Sequence, residues 1–201
     1  MNRIGIIGAM ELEVEELKSQ MEEVTVKEKA SMEFYQGTLN RKEVVVVRSG
    51  IGKVNAAVCT QILVDDFQVE AVINTGIAGS LKAEINIGDI VVSTDALQHD
   101  MDAREFGYPK GQIPQMNVFS FKADETLRKV AAECCKKANP DIQAFEGRVV
   151  SGDQFVASSE VKDELIREFA GSCTEMEGAA IAQAAYLNHV PFVVLRAISD
   201  K

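Results

Sequence analysis

The stretch Pro191-Phe-Val-Val-Leu-Arg-Ala-Ile-Ser-Asp200 lies at the end of a 201-residue chain. Its continuous apolar run, bounded by a proline, predicts a strand from Pro191 to Ile198 that is buried on both faces. Open α/β sheets bind ligands just beyond the carboxyl ends of such strands. We therefore expect Asp200 to lie at the mouth of a site, with Arg196 and Ser199 beside it. A desolvated carboxyl group there can stay protonated and serve as a general acid.

Outward from this strand, the chain alternates strand and helix patterns. Buried strands are predicted at 3–8, 43–48, 71–74, 88–93, 145–151 and 173–176, with a hairpin or edge strands at 24–29 and 32–39. Helices are predicted at 11–21, 53–67, 124–138, 159–169 and 178–187. A Gly-rich loop is expected at 75–80 and an irregular segment at 98–121. The pattern predicts a single α/β domain over residues 1–201, in which helices flank a central mixed sheet in three layers.

The composition excludes several classes of function. Hydrophobic residues make up 46% and charged residues 26%, as in ordinary globular proteins. The net charge of −10 disfavours a nucleic-acid partner. No apolar run approaches the roughly 20 residues of a membrane span, so no membrane partner is expected. The N-terminus lacks a signal-peptide pattern, and none of the 4 cysteines forms a C-x-x-C motif. Reduced thiols in a cytoplasmic protein are the simplest interpretation.

Two cofactor motifs fail in the segment Gly50-Ile-Gly-Lys53. A phosphate-binding P-loop needs Ser or Thr after the lysine and a glycine five residues before Gly52, but Val54 and Val47 occupy those positions. A dinucleotide fingerprint would need glycine where Asn55 stands. The two histidines lie far apart in the sequence and make no metal constellation. We therefore expect neither a metal nor another cofactor.

Acidic segments stand where three predicted strands end. They are Gly8-Ala-Met-Glu-Leu-Glu13, Thr174-Glu-Met-Glu-Gly178 and Ser199-Asp200. Acids at a helix start are ordinarily partners of the helix dipole, and this explains Glu11 and Glu15. Glu13 can instead turn back towards the strand ends, and the small residues after Glu177 indicate close packing behind a site. Two glycine-containing loops, 76–79 and 151–155, could contact a flat ring.

Taken together, these segments resemble the 5′-methylthioadenosine/S-adenosylhomocysteine nucleosidases of the nucleoside phosphorylase superfamily. The resemblance spans the whole chain in the family's order. It is carried by Ile6–Glu13, Ser49–Asn55, Ile73–Gly79, Gly88–Val91, Val150–Asp153, Glu175–Glu177 and Val190–Asp200. It implies a nucleoside phosphorylase-like fold, in which the mixed sheet is partly barrel-like.

The resemblance also implies roles for individual residues. Glu13 would be the base that activates water, Asp200 the acid that protonates N7 of the leaving adenine, and Glu177 the ligand of the ribose hydroxyls. Ser199 would support Asp200, and Arg196 beside it is included among the substrate-binding residues. The remaining implied contacts are the sugar and base pocket (Met10, Ala78, Gly79, Met176), the adenine wall (Phe155, Val156) and the 5′-alkylthio pocket of a neighbouring subunit (Ile51, Phe106, Pro114). A homodimer is therefore expected.

This chemistry agrees with what an N-ribosidic bond requires. The bond breaks through an oxocarbenium-like centre, so an acid must protonate the adenine and a base must activate water on the far face. The expected reaction is hydrolysis of methylthioadenosine and adenosylhomocysteine, and 5′-deoxyadenosine is a further candidate substrate. Such a reaction belongs to methionine salvage. One alternative is a phosphate-dependent phosphorylase, disfavoured because Glu11 and Glu13 would repel phosphate. The other is a nucleoside-binding protein without turnover.

The chain departs from the family pattern in two places. Family members continue beyond the aspartate into a C-terminal helix, which this sequence lacks, so we expect that more chain once followed Lys201. A 201-residue form is expected to be weakly active or inactive. Ile77 replaces a serine common in its loop, which removes one hydroxyl near the ligand. Binding should survive, because the neighbouring residues act mainly through their backbone.

Overall fold

Ten strands form one hydrogen-bonded sheet in the computed structural model, which describes residues 2–201. The strands are β1 (Arg3–Gly8), β2 (Glu22–Lys29), β3 (Met32–Leu39), β4 (Lys42–Arg48), β5 (Ala71–Ser80), β6 (Ile90–Gln98), β7 (Phe121–Lys122), β8 (Ala144–Ser151), β9 (Cys173–Glu175) and β10 (Phe192–Asp200). The helices are α1 (Glu15–Ser19), α2 (Lys53–Phe67), α3 (Glu125–Ala138), α4 (Ser159–Phe169) and α5 (Gly178–Leu187). Short 3₁₀ turns lie at Glu11–Glu13 and Arg104–Phe106.

Five of the strands close into a barrel. Strand β10 pairs with β5 on one side and with β6 on the other, and β6 pairs with β8. Strand β9 then joins β8 to the far end of β5 and completes the ring. Because parallel and antiparallel pairs both occur, the sheet is mixed and partly barrel-like, as the sequence predicts.

The remaining strands extend the sheet outward from β5. Strand β1 pairs in parallel with both β5 and β4, and β3 and β2 follow in antiparallel order. The outer strand β2 is exposed along its whole length. Strand β5 therefore lies between β1 and β10, and all three run parallel. Their carboxyl ends lie at one edge of the sheet.

Helices cover both faces of the sheet. Helices α2 and α5 pack together over a core that includes Leu63, Ile181 and Val194. Helix α3 covers the opposite face through Ala132, which packs with Val193. Alternate residues of β10 thus enter different cores, which explains why its sequence is apolar without interruption. The predicted three-layer arrangement is confirmed. Within residues 2–201, no helix is long and apolar enough to cross a membrane.

The Gly-rich segment 75–80 is strand rather than the predicted loop. Strand β5 continues through it to Ser80, and residues 75–79 pair with residues 195–200 of β10. The glycines are needed because other side chains press on the backbone: a Cβ atom at Gly76 would lie 2.6 Å from Glu13 Oε1 and would overlap Arg196. Glycine inside a strand often marks such a close approach.

The first predicted helix is also shorter than expected. Residues 11–13 form a 3₁₀ turn, and α1 covers only residues 15–19 of the predicted range 11–21. The Glu13 carboxylate turns back and accepts hydrogen bonds from the amides of Ala9 and Met10, at 2.7 and 3.0 Å. The chain between them is therefore tightly coiled, and Val14 leaves helical geometry. This is the alternative orientation that the sequence left open for Glu13.

Candidate active site

A cavity of about 300 Å³ opens at the carboxyl ends of β1, β5 and β10. This is the edge at which α/β sheets bind ligands. All the site residues proposed from the sequence line the cavity except Arg196, Phe106 and Pro114. The residues that do are Met10, Glu13, Ile51, Ala78, Gly79, Phe155, Val156, Met176, Glu177, Ser199 and Asp200.

Glu13 is held at one end of the cavity by backbone amides. In addition to its bonds from Ala9 and Met10, it accepts one from the Ile77 amide through Oε1 at 3.1 Å. Its side chain is 4% exposed. Three N–H donors thus hold the carboxylate, and Arg196 Nη1 lies 3.9 Å from Oε1 as a more distant counter-charge.

Arg196 lies beneath the cavity and does not reach into it. Its side chain is 1% exposed, and its guanidinium donates to Glu175 and, at 2.6 Å, to Asn74 Oδ1. Glu177 Oε1 and Glu13 Oε1 lie 3.6 and 3.9 Å from it. Arg196 therefore lies behind the cavity wall, where it is the counter-charge of three carboxylates that line the cavity.

Glu175 is a site residue that the sequence analysis quoted but gave no role. It accepts hydrogen bonds from the Ser151 hydroxyl and from the Gly178 amide, the latter at 2.8 Å. A Cβ atom at Gly178 would stand 3.0 Å from Glu175 Oε2, which explains the glycine at the start of α5. In the sequence its only signal is its position at the end of a predicted strand, two residues before Glu177.

Glu177 forms part of the cavity wall at the start of α5. Its Oε2 accepts a hydrogen bond from the Gly52 amide at 2.9 Å, just before α2 begins. Burial raises the pKa of Glu177 from 4.5 to about 7, repulsion from Glu175 adds to the rise, and Arg196 opposes it. Near neutral pH the group therefore exists in both protonation states and can donate as well as accept hydrogen bonds.

Asp200 lies at the opposite end of the cavity from Glu13. Its Oδ1 accepts a hydrogen bond from the Ser199 hydroxyl at 2.9 Å, and Lys162 Nζ lies 3.5 Å from Oδ2. A Cβ atom at Gly79 would lie 3.0 Å from Oδ2. Glu13 contacts the same strand at Gly76 and at the Ile77 amide. The contacts of the two carboxyl groups on β5 are therefore two to three residues apart, about 7–10 Å at roughly 3.3 Å per residue.

The cavity wall is acidic and otherwise mostly apolar. Four carboxyl groups line it, and none of the lining residues found within 2–201 is a lysine or an arginine. An anion such as phosphate needs cationic or N–H donors, and here the nearest amides already bind carboxylates. The wall suits a neutral or cationic ligand with hydroxyl groups and a flat apolar face.

Two predicted contacts lie away from the cavity. Phe106, in the second 3₁₀ turn, is 83% exposed, and Pro114 is half-buried. Neither lines the cavity of its own chain, so a contact from them would need a second chain. Phe155 lines the cavity yet is 79% exposed, so one face of the ring is open to a ligand. Sequence reasoning also missed Ala9, Gln154 and Thr174 in the lining, because uncharged residues of these types carry no chemical signal of their own.

Known proteins resemble this chain over nearly its whole length. A family model described as the phosphorylase superfamily matches residues 3–201. A 5′-methylthioadenosine/S-adenosylhomocysteine nucleosidase of Halalkalibacterium halodurans is 44% identical over 201 residues, which is all of this chain and 86% of that relative.

Two solved structures carry the same name. The Colwellia psychrerythraea protein in complex with adenine is 43% identical with a TM-score of 0.94, over 98% of this chain and 82% of that one. The Neisseria meningitidis protein in complex with methylthio-immucillin-A is 41% identical with a TM-score of 0.95, over 100% and 86%.

The fold and the site define a member of the phosphorylase superfamily, whose family model covers nearly the whole chain. Its sequence identity to two curated relatives is 44% and 46%, over 100% and 98% of this chain. Within this superfamily, the chain belongs to the 5′-methylthioadenosine/S-adenosylhomocysteine nucleosidases.

Proposed function

We propose that the protein hydrolyses the N-ribosidic bond of 5′-methylthioadenosine and S-adenosylhomocysteine. The products are adenine and the 5′-thio-substituted ribose, and 5′-deoxyadenosine is a further candidate substrate. The observation that carries the proposal is the placement of Glu13 and Asp200 at two ends of one cavity with no cation between them. Named relatives in complex with adenine and with methylthio-immucillin-A support the substrate class.

The separation of the two carboxyl groups suits attack by water. Inverting glycosidases keep their acid and base about 6.5–9.5 Å apart, which leaves room for a water on the far face of the sugar. The spacing of about 7–10 Å between their contacts along β5 is of this order. The sugar carbon would lie between the groups, with the adenine towards Asp200 and the water towards Glu13.

The proposed step then balances in protons and electrons. Asp200 gives its proton to N7 of adenine as the C1′–N9 bond breaks, and the bonding electron pair leaves with the base. Water adds its oxygen to C1′ while Glu13 accepts the proton that is lost. Each role contributes about 10²–10⁴-fold to the rate. Glu177 binds the ribose hydroxyls, and Met10, Met176, Ala78 and Gly79 enclose the sugar.

Phosphorolysis is the disfavoured alternative. A phosphate nucleophile would replace water at the Glu13 end of the cavity. Glu13 and Glu177 stand there, and Arg196 is already engaged by Glu175 and Asn74. A phosphate dianion would meet carboxylates without a free cation, which repels it by Coulomb's law.

A homodimer is part of this proposal. Helix α2 packs on the core through Ala56, Cys59 and Leu63, while Val54 and Val58 on another face are 74% and 40% exposed. Exposed Ile51 and Phe106 add to this apolar surface. A helix that is apolar on more than one side ordinarily packs on both. In the dimer, Phe106 and Pro114 would close the 5′-alkylthio pocket of the partner.

We further propose that the protein acts in the cytoplasm, in methionine salvage and the recycling of S-adenosylmethionine by-products. All of its cysteines are free thiols, which suits a reducing compartment. The curated relatives are named for methylthioadenosine and adenosylhomocysteine, the nucleosides whose breakdown this role would require.

The experiment that tests the function is adenine release from methylthioadenosine with and without phosphate. A nucleosidase releases adenine at the same rate in phosphate-free buffer, and in ¹⁸O-water the label enters the ribose product. Release that requires phosphate, with 5-methylthioribose 1-phosphate as product, would establish the phosphorylase instead. Binding of adenine without any release would establish a binding protein.

A further inference from the structure

The adenine wall of the cavity is held in place on both sides of Phe155. Gln154, Phe155 and Val156 form an irregular segment after β8 that lines the cavity. Val156 is buried in a core cluster with Leu97, which fixes the C-terminal end of the segment. At the other end stands Asp153, whose contacts lie outside the cavity.

Asp153 belongs to a closed ring of hydrogen bonds with Lys53 and Asp100. Asp153 Oδ1 accepts from the Lys53 amide at 2.8 Å, and the Asp153 amide donates to Asp100 Oδ2 at 2.9 Å. Lys53 Nζ closes the ring on Asp100 Oδ1 at 2.8 Å. The ring thus joins three separate segments: the start of α2, the end of β6 and the loop after β8.

Each of these segments is also tied to the site. The Gly52 amide, next to Lys53, holds Glu177, and Ile51 lines the cavity. Lys53 Nζ also donates to Gln98 at 3.0 Å, and Gln98 in turn donates to Gln183 on α5, the helix that starts after Glu177. The ring therefore lies between the adenine wall and the ribose-binding carboxylate.

The backbone segments around the ring are packed closely against each other, so that they have little freedom to move relative to one another. The His99 amide donates to the Ser151 carbonyl at 2.8 Å. A Cβ atom at Gly152 would lie 2.5 Å from His99 Cε1 and 3.1 Å from Asp100 Cγ. Gly52 has no side chain with which to cap α2, so the carboxylates of Asp153 and Glu177 take the first free amides of that helix.

We propose that Asp153, Asp100 and Lys53 form a positioning network that sets Phe155 and Val156 at the correct distance from Glu177. This inference rests on the proposed function, since it assigns the adenine ring to that wall. The three residues do not touch the cavity themselves. They act by fixing where the base lies relative to the sugar, and so they contribute to base affinity.

The network contributes more to ligand placement than to stability. Asp100 and Lys53 are partly exposed, with 27% and 20% of their side chains accessible. Exposed ion pairs contribute about 0–1 kcal/mol to folding. Variants of the ring should therefore fold, and their defect should appear in binding.

The test compares Asp153→Ala with Asp153→Asn, using adenine as the probe in titration calorimetry. We expect Asp153→Ala to weaken adenine binding about tenfold, the loss of one hydrogen bond to a charged group. Asp153→Asn should stay within about twofold of the parent, because its amide oxygen still accepts from Lys53. Asp100→Ala, which opens the ring from its other side, should match Asp153→Ala. The KM for methylthioadenosine should rise with the adenine Kd, and kcat should change less, since Glu13 and Asp200 have separate supports.

The exposed Asp141→Ala serves as the matched control and should bind adenine as the parent does. Melting temperatures of all variants should lie within about 4 °C of the parent, as expected for about 1 kcal/mol in a chain of this size. Suppose that the parent binds adenine and hydrolyses methylthioadenosine, but Asp153→Ala and Asp100→Ala have the parental adenine Kd. This result would overturn the positioning network and leave the proposed function standing. Equal losses in Asp153→Ala and Asp153→Asn would also overturn the positioning network. A parent that neither binds adenine nor releases it would overturn the proposed function.

Discussion

Arg196 lies behind the cavity wall and donates hydrogen bonds through Nη2 to Glu175, which lines the cavity, and to Asn74. The side chains of Arg196 and Glu175 are almost completely buried. Glu13 and Glu177 approach the same guanidinium, so three carboxylates share one cation. Burial raises the pKa of Glu177 to about 7, and the negative charge of Glu175 adds to the rise while Arg196 opposes it. Arg196 is therefore part of the structure that supports the site.

Removing this cation should be costly. In Arg196→Met, the free energy of unfolding should fall by about 3–5 kcal/mol, because a buried carboxylate loses its only counter-charge. Urea denaturation measures the change. In the double variant Arg196→Met/Glu175→Gln much of the loss should be recovered, because the unpaired charge is gone. A single variant within about 1 kcal/mol of the parent would contradict this role.

The stability of the protein should depend on Glu177 and pH in a defined direction. Its native pKa of about 7 exceeds the ordinary 4.5, so the native state binds the proton more tightly than the unfolded chain does. The contribution is complete below pH 4.5 and is lost as pH rises through 7. Between pH 5 and pH 8, the free energy of unfolding of Glu177→Gln should therefore rise by roughly 2–3 kcal/mol relative to that of the parent.

Thermal or urea unfolding at several pH values measures this difference. The exposed Glu84→Gln is the control and should follow the parent. If the stabilities of the parent and of Glu177→Gln changed with pH in parallel, the pKa of Glu177 would not be raised in the folded protein.

The two glycines of β5 should respond differently to alanine. In Gly76→Ala, the new methyl group meets Arg196 and Glu13, both deeply buried, so activity should fall at least 10²-fold and stability should drop. In Gly79→Ala, the methyl group meets only Asp200, whose side chain is 48% exposed and can move aside. Activity should fall there while stability changes by less than about 1 kcal/mol. Equal stability losses in both variants would contradict the assigned contacts.

The proposed dimer predicts an effect of charge on α2. Val54→Asp places a carboxylate on the exposed apolar face and should yield a monomer in sedimentation velocity. Its activity should fall as well, because Phe106 of the second chain would no longer close the pocket. Val130→Asp on α3, at a site that is 53% exposed, is the matched control and should remain a dimer. A monomeric parent, or a dimeric Val54→Asp, would rule out this interface.

Much of the fold follows from local sequence signals. The predicted bounds of α2, α4 and α5 agree with the structure, and Asp124 caps α3 by accepting from the Leu127 amide. These elements were predictable because their apolar spacing, and the caps of α3 and α4, depend on neighbours in sequence. Barrel closure was not predictable from the pattern, because it depends on β5 pairing with three other strands.

The site divides in the same way. The acids at strand ends could be identified because carboxyl groups carry chemistry at defined positions. The prediction for Arg196 differs from the structure: this residue was expected among the substrate-binding residues, but it lies behind the cavity wall. Sequence cannot reveal this, because the side chain's direction depends on Glu175 and Asn74, which approach it from two other strands.

The central claim is that Asp200 delivers the proton and Glu13 activates the water. The most direct measurement is the rate of ribosidic cleavage in phosphate-free buffer for the parent, Asp200→Asn and Glu13→Gln, each with two substrates. One is methylthioadenosine. The other carries nitrophenolate in place of adenine, which leaves without protonation. With methylthioadenosine, both variants should lose at least about 10²-fold in rate. With the nitrophenyl riboside, Asp200→Asn should recover to near the parent rate while Glu13→Gln stays slow. Equal losses of Asp200→Asn on both substrates, or parental rates in either variant with methylthioadenosine, would contradict the assignment of acid and base.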